Sequence, residues 1–120
     1  MYLQYGKSII SAEAKALEAL SEKLDISFMK AIDIMYKSSG NIIISGVGKS
    51  GYIARKIAAT FTSVGSPSLF LHPTEASHGD LGFIRKKDIL VILSNSGASK
   101  ELIDLMKYAK KIRIPIIIFT

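Results

Sequence analysis

The fold is decided in residues 42–51, which read Ile42-Ile43-Ile44-Ser45-Gly46-Val47-Gly48-Lys49-Ser50-Gly51. Three consecutive β-branched residues form the short apolar run of a strand buried on both faces. Ser45 ends that strand, and the glycines that follow let the chain turn straight into a helix. Ile53, Ile57, Ala58 and Phe61 then recur on one helical face, with Gly65 as the stop. A buried strand feeding a helix through a glycine turn is the opening of a parallel βαβ unit.

Working outward, residues 68–71 read as a second strand, 89–93 as a third and 115–119 as a fourth, with a helix over 99–112 (Leu102, Ile103, Leu105, Met106, Ala109) between the last two. Upstream, residues 3–24 and 26–37 carry helical periodicity, and Gly40 and Asn41 stop the second of these helices in the manner of a C-cap. Residues 72–87 follow neither period, so they are expected to form a long functional loop. The class is α/β, a three-layer doubly wound parallel sheet. The common order sets strand one between strands two and three, which makes the gap between strands one and three the switch point where ligands bind. The chain ends on a strand with no covering helix, so the expectation is a domain truncated after the fourth strand.

The chain has 120 residues, 48% hydrophobic and 22% charged, enough for one core without disulfides. It has no cysteine, which excludes thiol chemistry and cysteine-held zinc. No apolar run approaches the roughly 18 residues of a membrane helix, and residues 1–10 lack the blocks of a signal peptide, so no membrane partner is expected and the location expected is cytoplasmic. Sixteen Lys and Arg against ten Asp and Glu leave a net charge of +6. Most lysines interleave with acids, as on a solvated helix face, and no aromatic-basic stripe accompanies the tighter sets Arg85-Lys86-Lys87 and Lys107, Lys110, Lys111, Arg113. Nucleic acid is therefore not expected as a partner. A small phosphorylated ligand is compatible with the charge.

Gly46, Gly48 and Gly51 match the dinucleotide fingerprint, but the acid that would hold the ribose is missing: the end of strand two holds Leu71 or His72. Gly48-Lys49-Ser50 imitates the tail of a P-loop whose leading glycine would fall at Ile43, so no Walker motif exists. The physics common to both motifs survives, a glycine turn and helix N-terminus that favour an anion with a lysine and a hydroxyl at hand. The plainer reading is a glycine turn with an exposed lysine. Ser94-Asn95-Ser96-Gly97-Ala98-Ser99 adds hydroxyls before another helix, suited to a phosphate monoester. Ser96 or Ser99 alone would be an ordinary N-cap, a role that leaves Ser94 and the clustering unexplained. Glu101 suits a first helical turn without any function. His78 could hydrogen-bond substrate, shuttle a proton, serve the loop or, with His72 and Glu75, bind a metal; the histidine spacing is diagnostic of none of these.

Together these segments resemble the sugar isomerase (SIS) domain family. GVGKSG at 46–51 combined with HPTEASHGDLG at 72–82 resembles its arabinose 5-phosphate isomerase branch, and SNSG at 94–97 is shared more widely. The resemblance covers about residues 5–120. It implies a flavodoxin-like strand order, with 1–120 as the N-terminal portion of a SIS sugar-phosphate-binding domain whose remainder, and commonly a pair of CBS domains, lies downstream. It implies interconversion of D-ribulose 5-phosphate and D-arabinose 5-phosphate through an enediolate, feeding lipopolysaccharide or capsule sugar synthesis, with no cofactor and no metal. It matches Ser50, Ser94, Ser96 and Ser99, with Gly48, to phosphate-binding positions, and Lys49, Glu101 and His78 to active-site side chains. Tyr52 and Ala98 depart from the residues often found there, His and Glu. A SIS module that senses a sugar phosphate without transforming it is the alternative; it would need the serines but not Lys49, Glu101 and His78 together. The apolar stripe on the first two helices is expected to pack across a subunit boundary, in a homodimer or homotetramer, as well as on the sheet.

Overall fold

The structure, a computed structural model, describes residues 1–96 and 99–120, Asp80 by its backbone alone. The chain divides into two compact units, Met1–Ile32 and Asp33–Thr120. The first holds helix α1 (Tyr2–Lys23) and most of α2 (Ile26–Tyr36). Leu24 breaks the helical run with an extended backbone. The Asp25 carboxylate then accepts the Ser27 N–H at 2.8 Å and the Ser27 hydroxyl, so α2 starts on a side-chain cap. Leu3, Ile10, Leu17 and Leu20 of α1 are exposed.

The second unit is an α/β sandwich of four parallel strands, β1 (Ile42–Gly46), β2 (Ser68–Phe70), β3 (Ile89–Leu93) and β4 (Ile116–Phe119), in the order β2-β1-β3-β4. Helix α3 (Lys49–Ser63) follows β1, and α5 (Lys100–Lys111) follows β3. Every residue of β1 is buried, as the isoleucine run requires. Alternation sends Ile43, Leu90 and Ile92 to one face, where they pack with Leu102, Leu105 and Ala109 of α5. Ile44 and Val91 point to the other face. Helix α3 packs on β1 and β2 through the small residues Gly51, Ala54 and Ala58.

Two expectations need correction. Residues 72–87 are not one irregular loop: they contain α4 (Pro73–Ser77) and a 3-10 turn (Asp80–Phe83). Pro73 stands at the first helical position and the His72 side chain caps the helix, signals that five helical residues are too few to display as a period. Gly40 is not the C-cap of α2, which ends at Tyr36. A Cβ on Gly40 would lie 2.1 Å from the Lys87 carbonyl oxygen, so the glycine serves a close backbone approach. That crossing is fastened by the buried Asp88, whose carboxylate accepts the Asn41 and Arg85 N–H groups, each at 2.8 Å.

Candidate functional site

β1 and β3 are adjacent, and their register sets Gly46 level with Leu93. The glycine loop and the serine loop therefore leave the same rim of the sheet side by side, at the point where the chain's connections diverge to either side. The glycine loop is built by contact as well as by conformation. Gly48 lies in the left-handed region at φ 61° as the N-cap of α3. A Cβ on Gly46 would come within 2.9 Å of the Ser50 carbonyl carbon, and one on Gly51 within 2.7 Å of the Gly46 carbonyl oxygen, so the first turn of α3 sits directly on the strand end. The Gly51 and Tyr52 N–H groups of α3 donate to the Gly48 carbonyl at 3.0 and 3.3 Å, and it is the N–H groups ahead of them that a helix start leaves without an intrahelical partner at this rim.

Two open clefts flank the paired loops. One, of about 310 Å³, is lined by Val47, Ser50, Leu93, Ser94, Asn95, Ser96, Ser99 and Leu102. The other, of about 340 Å³, adds Lys49, Ile53, Phe119 and Thr120 around the shared Ser50, Ser94 and Asn95. Ser94 is buried, with its N–H donating to the Phe119 carbonyl at 3.0 Å, while Asn95 and Ser96 are exposed. Gly97 and Ala98 of the serine loop, including the departure from the family pattern noted at Ala98, lie outside the described residues.

Ser99 occupies the N-cap position of α5 but makes no side-chain bond to the helix backbone. Its hydroxyl instead donates to Glu101 Oε2 at 2.8 Å. That donation, foremost, holds the Glu101 carboxyl below the usual carboxylate range; its own backbone N–H, Lys100 and His72 act in the same direction. The side-chain N-cap reading thus fails for Ser99, and Glu101, which lines neither cleft, is bonded to a residue that lines the smaller one.

His78 lines neither cleft. It is exposed at the C-cap of α4, its N–H shared between the Thr74 and Glu75 carbonyls. His72, weighed from the sequence as a metal candidate, lines neither cleft either. Its Nδ1 accepts the Thr74 N–H at 3.2 Å, so the ring is oriented by α4, and its influence reaches Glu101. A histidine directly before Pro-x-Glu was the available signal. Among the described residues, no cluster of three or more His, Asp or Glu side chains could hold a metal ion. No helix among them is long and apolar enough to cross a membrane.

Comparison with known proteins agrees with the fold. The family model described as SIS domain matches residues 34–120. The uncharacterized protein RP505 of Rickettsia prowazekii is 48% identical over 119 residues, 99% of this chain and 37% of that protein. The arabinose 5-phosphate isomerase KdsD of Escherichia coli O157:H7 is 41% identical over 119 residues, 99% of this chain and 36% of its own length. The solved structure of E. coli CFT073 c3406 in complex with arabinose 5-phosphate superposes with a TM-score of 0.90 at 41% identity, over 98% of this chain and 63% of that one. The chain thus spans little more than a third of the curated relatives it matches.

Proposed function

This chain belongs to the SIS domain family, and from that premise we propose that it forms the phosphate-anchoring part of an aldose-ketose isomerase that interconverts D-ribulose 5-phosphate and D-arabinose 5-phosphate. The observation that carries the reading is the level register of Gly46 and Leu93, which brings Lys49, Ser50, Ser94, Ser96 and Ser99 around one pair of clefts with Glu101 bonded to Ser99. The relative named as an arabinose 5-phosphate isomerase and the structural neighbour bound to that sugar phosphate support the substrate class.

In this reading, the serine hydroxyls and the free N–H groups of the two helix N-termini hold the phosphate oxygens, with Gly48 allowing the close approach. The fixed phosphate restricts the reacting end of the sugar to a few orientations. Glu101 takes the proton from the carbon beside the carbonyl, the electron pair moves to the carbonyl oxygen, and Lys49 stabilises the resulting enediolate. The hydroxyl proton on the deprotonated carbon passes to the former carbonyl oxygen, that hydroxyl becomes the new carbonyl, and return of the abstracted proton to the former carbonyl carbon completes the exchange with no net redox change. His78, which lines neither cleft of this chain, serves hydroxyl protons or ring opening by reaching the site of a neighbouring subunit. The product would feed lipopolysaccharide or capsule sugar synthesis, by a homo-oligomer in the cytoplasm.

The test is turnover of ribulose 5-phosphate by the full-length protein. Lys49→Ala and Glu101→Gln are each expected to lower kcat by about 100-fold or more. Wild-type rates in both variants would remove these roles. Binding of the sugar phosphate without turnover in the intact protein would favour the sensor.

A further inference from the structure

Ser99 faces two demands that one hydroxyl cannot meet together. It lines the smaller cleft, and its single O–H already goes to Glu101 Oε2 at 2.8 Å. A serine hydroxyl carries one proton and can donate it to one acceptor at a time. A phosphate dianion has acceptors only, so binding to Ser99 Oγ requires that same proton.

We propose that the Ser99 hydroxyl is the link between phosphate binding and the proton-transfer carboxylate: it donates to Glu101 in the free protein, swings to the phosphate of an arriving substrate, and so leaves Glu101 Oε2 unbonded. The inference rests on the proposed site and deepens it. No covalent bond forms or breaks in this step; rotation about the Ser99 Cα–Cβ bond redirects one hydrogen bond. The absence of any bond from the Ser99 side chain to the α5 backbone leaves that rotation free of the usual cap constraint.

The consequence is a base that strengthens when substrate arrives. A carboxylate stabilised by a donor is a weaker proton acceptor. The Ser99 hydroxyl is the largest influence holding the Glu101 carboxyl low, ahead of its own N–H, Lys100 and His72. Among the described residues, the charged and titratable groups facing Glu101 are Lys100 and Asp104 on α5 itself, with His72, Glu75 and His78 on and beside α4, which packs against α5. A sugar lacking the phosphate would leave the serine on Glu101 and the base weak, so the arrangement selects phosphorylated substrates at the chemical step as well as in binding.

The experiment follows the Glu101 carboxyl by carbon-detected NMR titration of the full-length protein, with inorganic sulfate as the probe, because it stays an acceptor-only dianion where the carboxyl titrates, and the Ser94 and Ser96 amide signals reporting its seat. In the wild type, sulfate is expected to raise the Glu101 midpoint. Ser99→Ala is expected to start from a raised midpoint without sulfate and to respond more weakly, because only charge repulsion remains. Ser99→Thr, which keeps the hydroxyl, is expected to restore the wild-type response. Equal midpoints and equal responses in wild type and Ser99→Ala would overturn the proposal. Amide shifts at Ser94 and Ser96 with an unmoved Glu101 would overturn it while leaving the phosphate site standing; no amide response at all would overturn both.

Discussion

Gly46 and Gly51 meet backbone to backbone: a Cβ on Gly51 would lie 2.7 Å from the Gly46 carbonyl oxygen. The contact seats the first turn of α3 on the end of β1 and aims its N–H groups at the rim shared with the serine loop. Gly51→Ala should therefore push the helix away, at a cost of about 1–3 kcal/mol in urea unfolding, and weaken phosphate binding. Gly6→Ala, in a helix where an added Cβ meets nothing within 4 Å, should instead stabilise by about 0.5–1 kcal/mol.

Asp88 tests the opposite rim. Its buried carboxylate satisfies the Asn41 and Arg85 N–H groups beside the Gly40 crossing. Asp88→Ala should cost about 1–3 kcal/mol in all, because it removes two part-buried hydrogen bonds, measured by chemical denaturation, with phosphate affinity in the surviving folded fraction unchanged.

Arg113 is the only non-glycine with positive φ among the described residues, at 61° just past the end of α5. The Ile114 N–H reaches back to the Ala109 carbonyl and the Arg113 N–H to Lys110, the pattern in which glycine is usual. Arg113→Gly should raise stability by about 1 kcal/mol, slightly offset by the lost cation at the helix C-terminus. A thermal melt that falls would contradict this.

The Asp25 carboxyl is held below its ordinary value of 3.8, first by the Ser27 hydroxyl and then by the Ser27 N–H. The folded state thus binds this proton less readily than the unfolded state. The stabilisation is present above the unfolded value and is lost as pH falls through the lower folded one. Ser27→Ala should bring the Asp25 midpoint back up toward 3.8, as read by NMR, and should make the start of α2 less sensitive to acid, because less pH-dependent stabilisation is left to lose.

How much of this was legible in the chain varies with the length of the signal. The isoleucine run of β1 and the spacing along α5 announced themselves, because burial on both faces or on one stripe selects residue types at every position. The order β2-β1-β3-β4 followed from general rules of chain connection. Helix α4 was missed because five residues complete little more than one turn; only Pro73 and the capping His72 marked it. Gly40 was misread because a glycine ending a helix and a glycine crossed by another strand's approach look alike in one dimension.

The sequence by itself determined the α/β class, the two loops that carry glycine and serine, and the side chains available there, since local pattern and composition select these without reference to distant residues. Only the tertiary structure decided that the two loops leave the sheet at one level, that Gly46 and Gly51 touch, that Ser99 gives its proton to Glu101 instead of the helix backbone, and that the His72 ring caps α4. These depend on strand register and on which of several acceptors a hydroxyl meets, and both are fixed by long-range packing.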